Sequence, residues 1–139
     1  SNIKNWGELD IQHGVNIQPF CTITCKHQIR IQYGTVIAPG VVIVDHDHNI
    51  DLPPEEIWQN GEMERVDIGP YCWIGANATI LKGVKLEKGC VVGAGAVVTK
   101  SFPEGSIIAG VPAKLIRTRG KYDEKNKDNR ETTTESSES

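Results

Sequence analysis

Several things are scarce in this chain of 139 residues, and each scarcity closes off a class of protein. No apolar run approaches the roughly 18 residues that a membrane-spanning helix needs. There is no basic surplus: the net charge is -3 and the pI about 5.8, which removes the electrostatic basis for binding nucleic acid. Residues 1–5 lack the charged and apolar regions of a signal peptide, so a cytoplasmic location is expected, and the leading Ser-Asn reads as a scar of tag cleavage. Aromatic residues are only 6% of the chain, so any core has to be built from aliphatic side chains. Helical periodicity is missing as well: apolar residues do not recur at steps of three and four.

What the sequence has instead is a period of six. Ile68, Ile74, Ile80, Leu86, Val92 and Val98 are evenly spaced, and Cys72, Ala78, Val84, Cys90 and Ala96 follow the first five at a fixed offset of four. An even period keeps both series on one face of short extended segments, with a turn after each. This is the pattern of a parallel β-helix. The same phase runs earlier through Ile11, Ile17 and Ile23 and then through Ile31, Ile37 and Ile43. The eight-residue step from Ile23 to Ile31 predicts a bulged corner between them. Residues 1–10, with Trp6 and Leu9, are expected to cap the open end of the coil.

The chain is long enough for one domain, assigned to residues 1–119. Inside it the hexads stop at Asp45 and resume in phase at Val66 and Ile68, so residues 45–65 read as an excursion from an intact frame, where function concentrates. Pro103, Gly105, Gly110 and Pro112 mark the exit from the coil, and residues 113–119 are predicted to form a short amphipathic helix. Residues 120–139 are almost wholly polar and read as a disordered tail. Cys21, Cys72 and Cys90 fall in the small-residue phase of the core, whereas Cys25 does not. A metal site at Cys21, Cys25 and His27 is not expected, because Cys21 points inward and no second pair stands at a matching spacing.

The hexads that begin at Ile68, Ile74 and Val92, together with GAGAVVTKSFP (residues 93–103) and AGVPAKLIR (residues 109–117), resemble the hexapeptide-repeat acyltransferases. The closing segments are most similar to the sugar O-acetyltransferase branch that contains the galactoside and maltose enzymes. The resemblance implies an all-β fold, a left-handed parallel β-helix carrying a long excursion loop and a short C-terminal helix. It also implies a homotrimer, acetyl-CoA as donor without a metal, and active sites between subunits. The family's catalytic His corresponds to His48, seventeen residues past Ile31, with His46 as a secondary candidate. Acceptor-side positions are Gln18, Trp58, Glu62, Met63 and Trp73. Donor-side positions are Gly75, Ala76, Ala94, Thr99, Lys100, Lys114 and Arg117.

Acetyl transfer to a hydroxyl needs a base for its proton, and a neutral imidazole suits that task. Asp45, Asp47 and Asp51 flank the two rings; each is expected to be a solvated loop residue before a catalytic one. Gln18 and Lys26 depart from the galactoside pattern, and the helical N-terminal extension of the galactoside and maltose enzymes is missing. The expected acceptor is therefore a sugar or surface-glycan precursor, in polysaccharide biosynthesis, rather than a simple galactoside. Other readings are N-acetylation of an amino sugar on the same scaffold and a non-catalytic scaffold trimer. A β-helical carbonic anhydrase would need three His around zinc, which the spacing of the four His does not resemble.

Overall fold

The computed structural model describes residues 1–48, 50–57 and 61–120. Trp58, Asn60, Asn49 and the proposed tail beyond residue 120 lie outside the described residues. The chain winds as a triangular prism whose three faces are parallel sheets. Coil one supplies β1 (Asn2–Asn5), β2 (Glu8–Ile11) and β3 (Asn16–Ile17). Coil two supplies β4 (Thr22–Cys25), β5 (Gln28–Ile31) and β6 (Val36–Ile37). Coil three begins with β7 (Val42–Val44), leaves the prism in an excursion that holds a single helical turn, α1 (Pro54–Ile57), and returns as β8 (Val66–Ile68) and β9 (Trp73–Ile74). Coil four is β10 (Thr79–Ile80), β11 (Lys85–Leu86) and β12 (Val91–Val92), and the last is β13 (Val97–Val98), β14 (Ser106–Ala109) and β15 (Lys114–Thr118). The first face is β1-β4-β7-β10-β13, the second β11-β8-β5-β2, and the third β15-β14-β12-β9-β6-β3. The whole is a left-handed parallel β-helix, an exception to the right-handed rule for parallel crossovers.

Stacking follows the hexads directly. On the first face Ile3, Ile23, Ile43, Ile80 and Val98 lie in one column, so the register passes unbroken across the excursion. From Ile23 upward these side chains are fully buried. The narrow corners close on a residue at positive φ, usually glycine, with Phe20, Tyr71 and Asn77 as the exceptions. At Gly34 the requirement is double, since its φ is +72° and the Tyr71 ring lies where a side chain would go.

Three expectations change. Residues 1–10 do not cap the coil: β1 and β2 are already its first two sides, paired in register with β4 and β5. The eight-residue step recurs from Ile3 to Ile11, so two wide corners stack, joined by Trp6 N–H to Cys25 O at 2.8 Å and Glu8 N–H to His27 O at 2.9 Å. Residues 113–119 form no helix. Leu115 and Ile116 are both exposed, and β15 instead runs antiparallel along β14, covering the last edge of the third face. Cys25 is buried like the other three cysteines, because alternation from Ile23 turns it inward.

Candidate active site

The excursion leaves from the edge between the first and second faces. Val44 ends β7 facing outward, and strand alternation turns the next residue in, so Asp45 continues the column of Asn5 and Cys25. Its exposure is 0%, which overturns its expected place as a solvated loop residue. The wide corner beneath it makes this burial possible. That corner presents three consecutive N–H groups, a nest for an anion. Asp45 Oδ1 accepts from Lys26 N–H at 2.9 Å and from His46 Nδ1 at 3.1 Å. Oδ2 accepts from the N–H groups of His27 and Gln28, both at 2.7 Å. Burial pushes the carboxyl pKa up, but the hydrogen bonds from Lys26, His27, His46 and Gln28 outweigh it and hold it below the usual carboxylate value. An ionised Asp45 is an acceptor only, which puts a proton on His46 Nδ1, so that in the neutral ring Nε2 is the acceptor nitrogen.

Beyond Asp45 the loop pairs with its own return strand. Glu64 N–H donates to Asp45 O at 2.9 Å, Asp47 N–H donates to Glu62 O at 3.0 Å, and His46 bridges Met63 antiparallel. The approach is so close at Gly61 that a Cβ there would collide with Asp47 O. From the coil above, Lys82 Nζ lies 3.7 Å from Asp47, 3.4 Å from Glu62 and 3.3 Å from Glu64. The Glu64 hydrogen bond foremost, then the Asp47 and Glu64 charges and the Glu62 hydrogen bond, push the lysine pKa up against the opposing effect of desolvation. The hairpin is thus held from below by the corner nest and from above by Lys82. It presents the His46 and His48 rings side by side, 6.5 Å between centroids and inclined at 76°. Glu62 and Met63 form its exposed lip. Neither the Asp45 clamp nor Lys82 was among the residues expected from sequence.

The other candidates fall on two further regions. Thr99 and Lys100 are exposed on the same edge as the histidines, beyond Lys82, with Lys100 Nζ 5.7 Å from the Phe102 ring centroid. Gly75, Ala76 and Ala94 lie on the opposite edge of the first face, where Gly95 N–H donates to Ala76 O at 2.8 Å. Lys114, level with Ala109 on β15, closes the top of that edge, and Gln18 stands near its base. Trp73 projects from the third face, 53% exposed, and Arg117 lies level with Ile107 on the same face. One chain therefore does not bring the histidines together with the Gly75 edge; a full prism face separates them. No cysteine is placed to serve as a nucleophile: all four are buried, and burial, then the Asp45 charge, pushes the Cys25 thiol up. Among the described residues no group of three or more His, Cys, Asp or Glu side chains could hold a metal ion. No helix among them is long and apolar enough to cross a membrane.

Comparisons with known proteins agree with this architecture. The family described as "Bacterial transferase hexapeptide (six repeats)" matches residues 65–100. The "Putative lipopolysaccharide biosynthesis O-acetyl transferase WbbJ" of Escherichia coli K12 is 35% identical over 121 residues, which are 80% of this chain and 61% of that protein. A 2,3,4,5-tetrahydropyridine-2,6-dicarboxylate N-acetyltransferase of Clostridium perfringens SM101 is 55% identical over 58 residues, 42% of this chain and 23% of that one. Among solved structures, a maltose O-acetyltransferase from Clostridium difficile 630 superposes with a TM-score of 0.60 at 25% identity, over 84% of this chain and 70% of that one. The chain spans less than two thirds of the length of these curated relatives. Its hexads, its three-faced prism and its closing segments agree with that match, and the chain carries the bacterial transferase hexapeptide repeat.

Proposed function

We propose that the protein transfers the acetyl group of acetyl-CoA to a hydroxyl of a sugar or surface-glycan precursor, with His48 as general base. The observation that carries this reading is the braced hairpin, which presents two imidazoles at the edge of a rigid prism. His48 removes the hydroxyl proton while the oxygen attacks the thioester carbonyl. The carbon–sulfur bond then breaks, and coenzyme A leaves as a thiol with the proton returned from the imidazolium. Direct attack fits a chain whose cysteines are all buried. The O-acetyltransferase names of the WbbJ and maltose relatives support the reaction class and a carbohydrate acceptor.

The distance between the histidine edge and the Gly75 edge supports a homotrimer in which the sites are composite. One copy would supply His48 with Glu62 and Met63, and its neighbour Trp73 and the small-residue edge of Gly75, Ala76 and Ala94, where the backbone is open to a pantetheine arm. Thr99, Lys100, Lys114 and Arg117 would hold the remainder of the donor, the bases answering its phosphates. Gln18 and Trp58 stay on the acceptor side of this scheme, and a cytoplasmic precursor is the acceptor proposed. The 58-residue match to an N-acetyltransferase favours a second reading, acetylation of an amino sugar on the same frame. That match is the smaller share of the chain.

The test is acetyl-CoA turnover, read as free thiol, against a panel of sugars, nucleotide sugars and amino sugars. His48→Ala should lower kcat/KM at least about a hundredfold, the lower range for loss of a general base. No turnover and no coenzyme A binding would instead identify a non-catalytic scaffold.

A further inference from the structure

We infer that Asp45, working through His46, is the positioning residue of this loop: its carboxylate ties the loop to the wide corner of the preceding coil and fixes the ring that stands edge-on to His48. The inference rests on the reading of His48 as the base.

Carboxylates are almost never fully buried unless paired, because an isolated charge away from water is very costly. Asp45 meets that requirement to the limit of its valence. An ionised carboxylate has about four acceptor positions. The N–H groups of Lys26, His27 and Gln28 and the Nδ1 of His46 occupy four. The three backbone donors belong to a corner that is itself anchored, since Cys25 O and His27 O accept from coil one. The fourth is a side-chain donor that comes from the loop itself. Three backbone donors suffice to seat the carboxylate; the fourth carries its position to the imidazole.

With Nδ1 committed to Asp45, the His46 ring is fixed in plane and its Nε2 is turned away from the carboxylate. The His48 ring packs edge-on to this wall, 6.5 Å away. Other charged and titratable groups surround the pair: Asp47 on the loop, Glu62 and Glu64 on the return strand, Lys82 above, and Cys25, Lys26 and His27 below. Lys82 is shared among Asp47, Glu62 and Glu64. Asp45 is a fully buried carboxylate in direct contact with His46, and a fixed negative charge there favours the positive charge that forms on the neighbouring base when it takes up the acceptor's proton.

Asp45→Asn, His46→Asn and His46→Ala test this against the full chain, by kcat, by KM for acetyl-CoA and by the pH profile of kcat/KM. Asp45→Asn should lower kcat at least about tenfold, as loss of an orienting carboxylate does, and leave the KM for acetyl-CoA within about twofold. The acid limb of its profile should move to lower pH, because the substitution removes a buried negative charge held against His46. His46→Asn keeps an N–H that can reach Asp45 and should retain clearly more activity than His46→Ala. A folded Asp45→Asn with wild-type kcat and an unmoved limb overturns the inference. So does a His46→Asn no better than His46→Ala, which also serves if Asp45→Asn does not fold. Full activity in His48→Ala would defeat the base assignment, an outcome separate from the limb shift that reports on Asp45.

Discussion

Replacing Ile80 with Ala probes whether the prism continues through the excursion. Ile80 stacks on Ile43 below and Val98 above, although residues 45–65 intervene in sequence between the lower two. It is 0% exposed. Burial of this kind gives large-to-small costs of about 2–5 kcal/mol, the higher values arising where the surroundings cannot collapse. Here they cannot, because Val42 N–H to Ala78 O at 2.9 Å and Thr79 N–H to Ala96 O at 2.8 Å hold the coils at fixed spacing. A loss of about 4 kcal/mol follows, a large part of a typical total stability of roughly 5–15 kcal/mol. For a chain of this length that corresponds to a fall in Tm of roughly 14 °C. The control is Thr79→Ala, one residue away on the outer face, which should change stability by no more than about 0.5 kcal/mol. Guanidinium unfolding followed by circular dichroism, with m compared between variants, measures both. Equal effects from the two variants, or a loss below about 1 kcal/mol for Ile80→Ala, would refute the stacking across the excursion.

Three further outcomes are expected. Gly75→Ala would press a Cβ to 2.6 Å from Val92 O and 2.8 Å from Ala94 N, so it should cost about 1–3 kcal/mol in the same unfolding assay although its φ permits alanine. Under native conditions a thiol reagent should leave all four cysteines unmodified, and denaturant should release all four. Asp45 has a folded pKa below its ordinary value, so its contribution to stability is complete above about pH 4 and lost as pH falls through the folded value. The stability difference between wild type and Asp45→Asn should therefore be constant at neutral pH and narrow only in acid, which acid unfolding series on both proteins would show.

The frame was legible because each inward position is set by a period that no side chain interrupts. Ile68 through Val98 and the earlier hexads lie where counting puts them, and the break at Asp45 is where the chain leaves the prism. The count failed at the two ends for different reasons. At the start, Ile3 and Ile11 are eight residues apart, and a single wide step looks like an irregularity until a second one is seen to stack on it. At the finish, a short amphipathic helix was expected over residues 113–119, but β14 had an open edge, and backbone pairing decided the conformation.

Asp45 shows why composition misleads within a loop. Among many acidic neighbours it looked like one more solvated carboxylate, yet strand parity alone would have marked it. Two residues past Ile43 it keeps the inward phase, as Cys25 does two residues past Ile23. The wide corner supplies the other half of the explanation, since the donors that satisfy the carboxylate exist only because that corner is long enough to turn three N–H groups inward. The extra residues at the corner and the acid at the loop root are thus one device. A corner shortened to the narrow form would remove the nest, strand the charge, and release the histidines even with every loop residue unchanged.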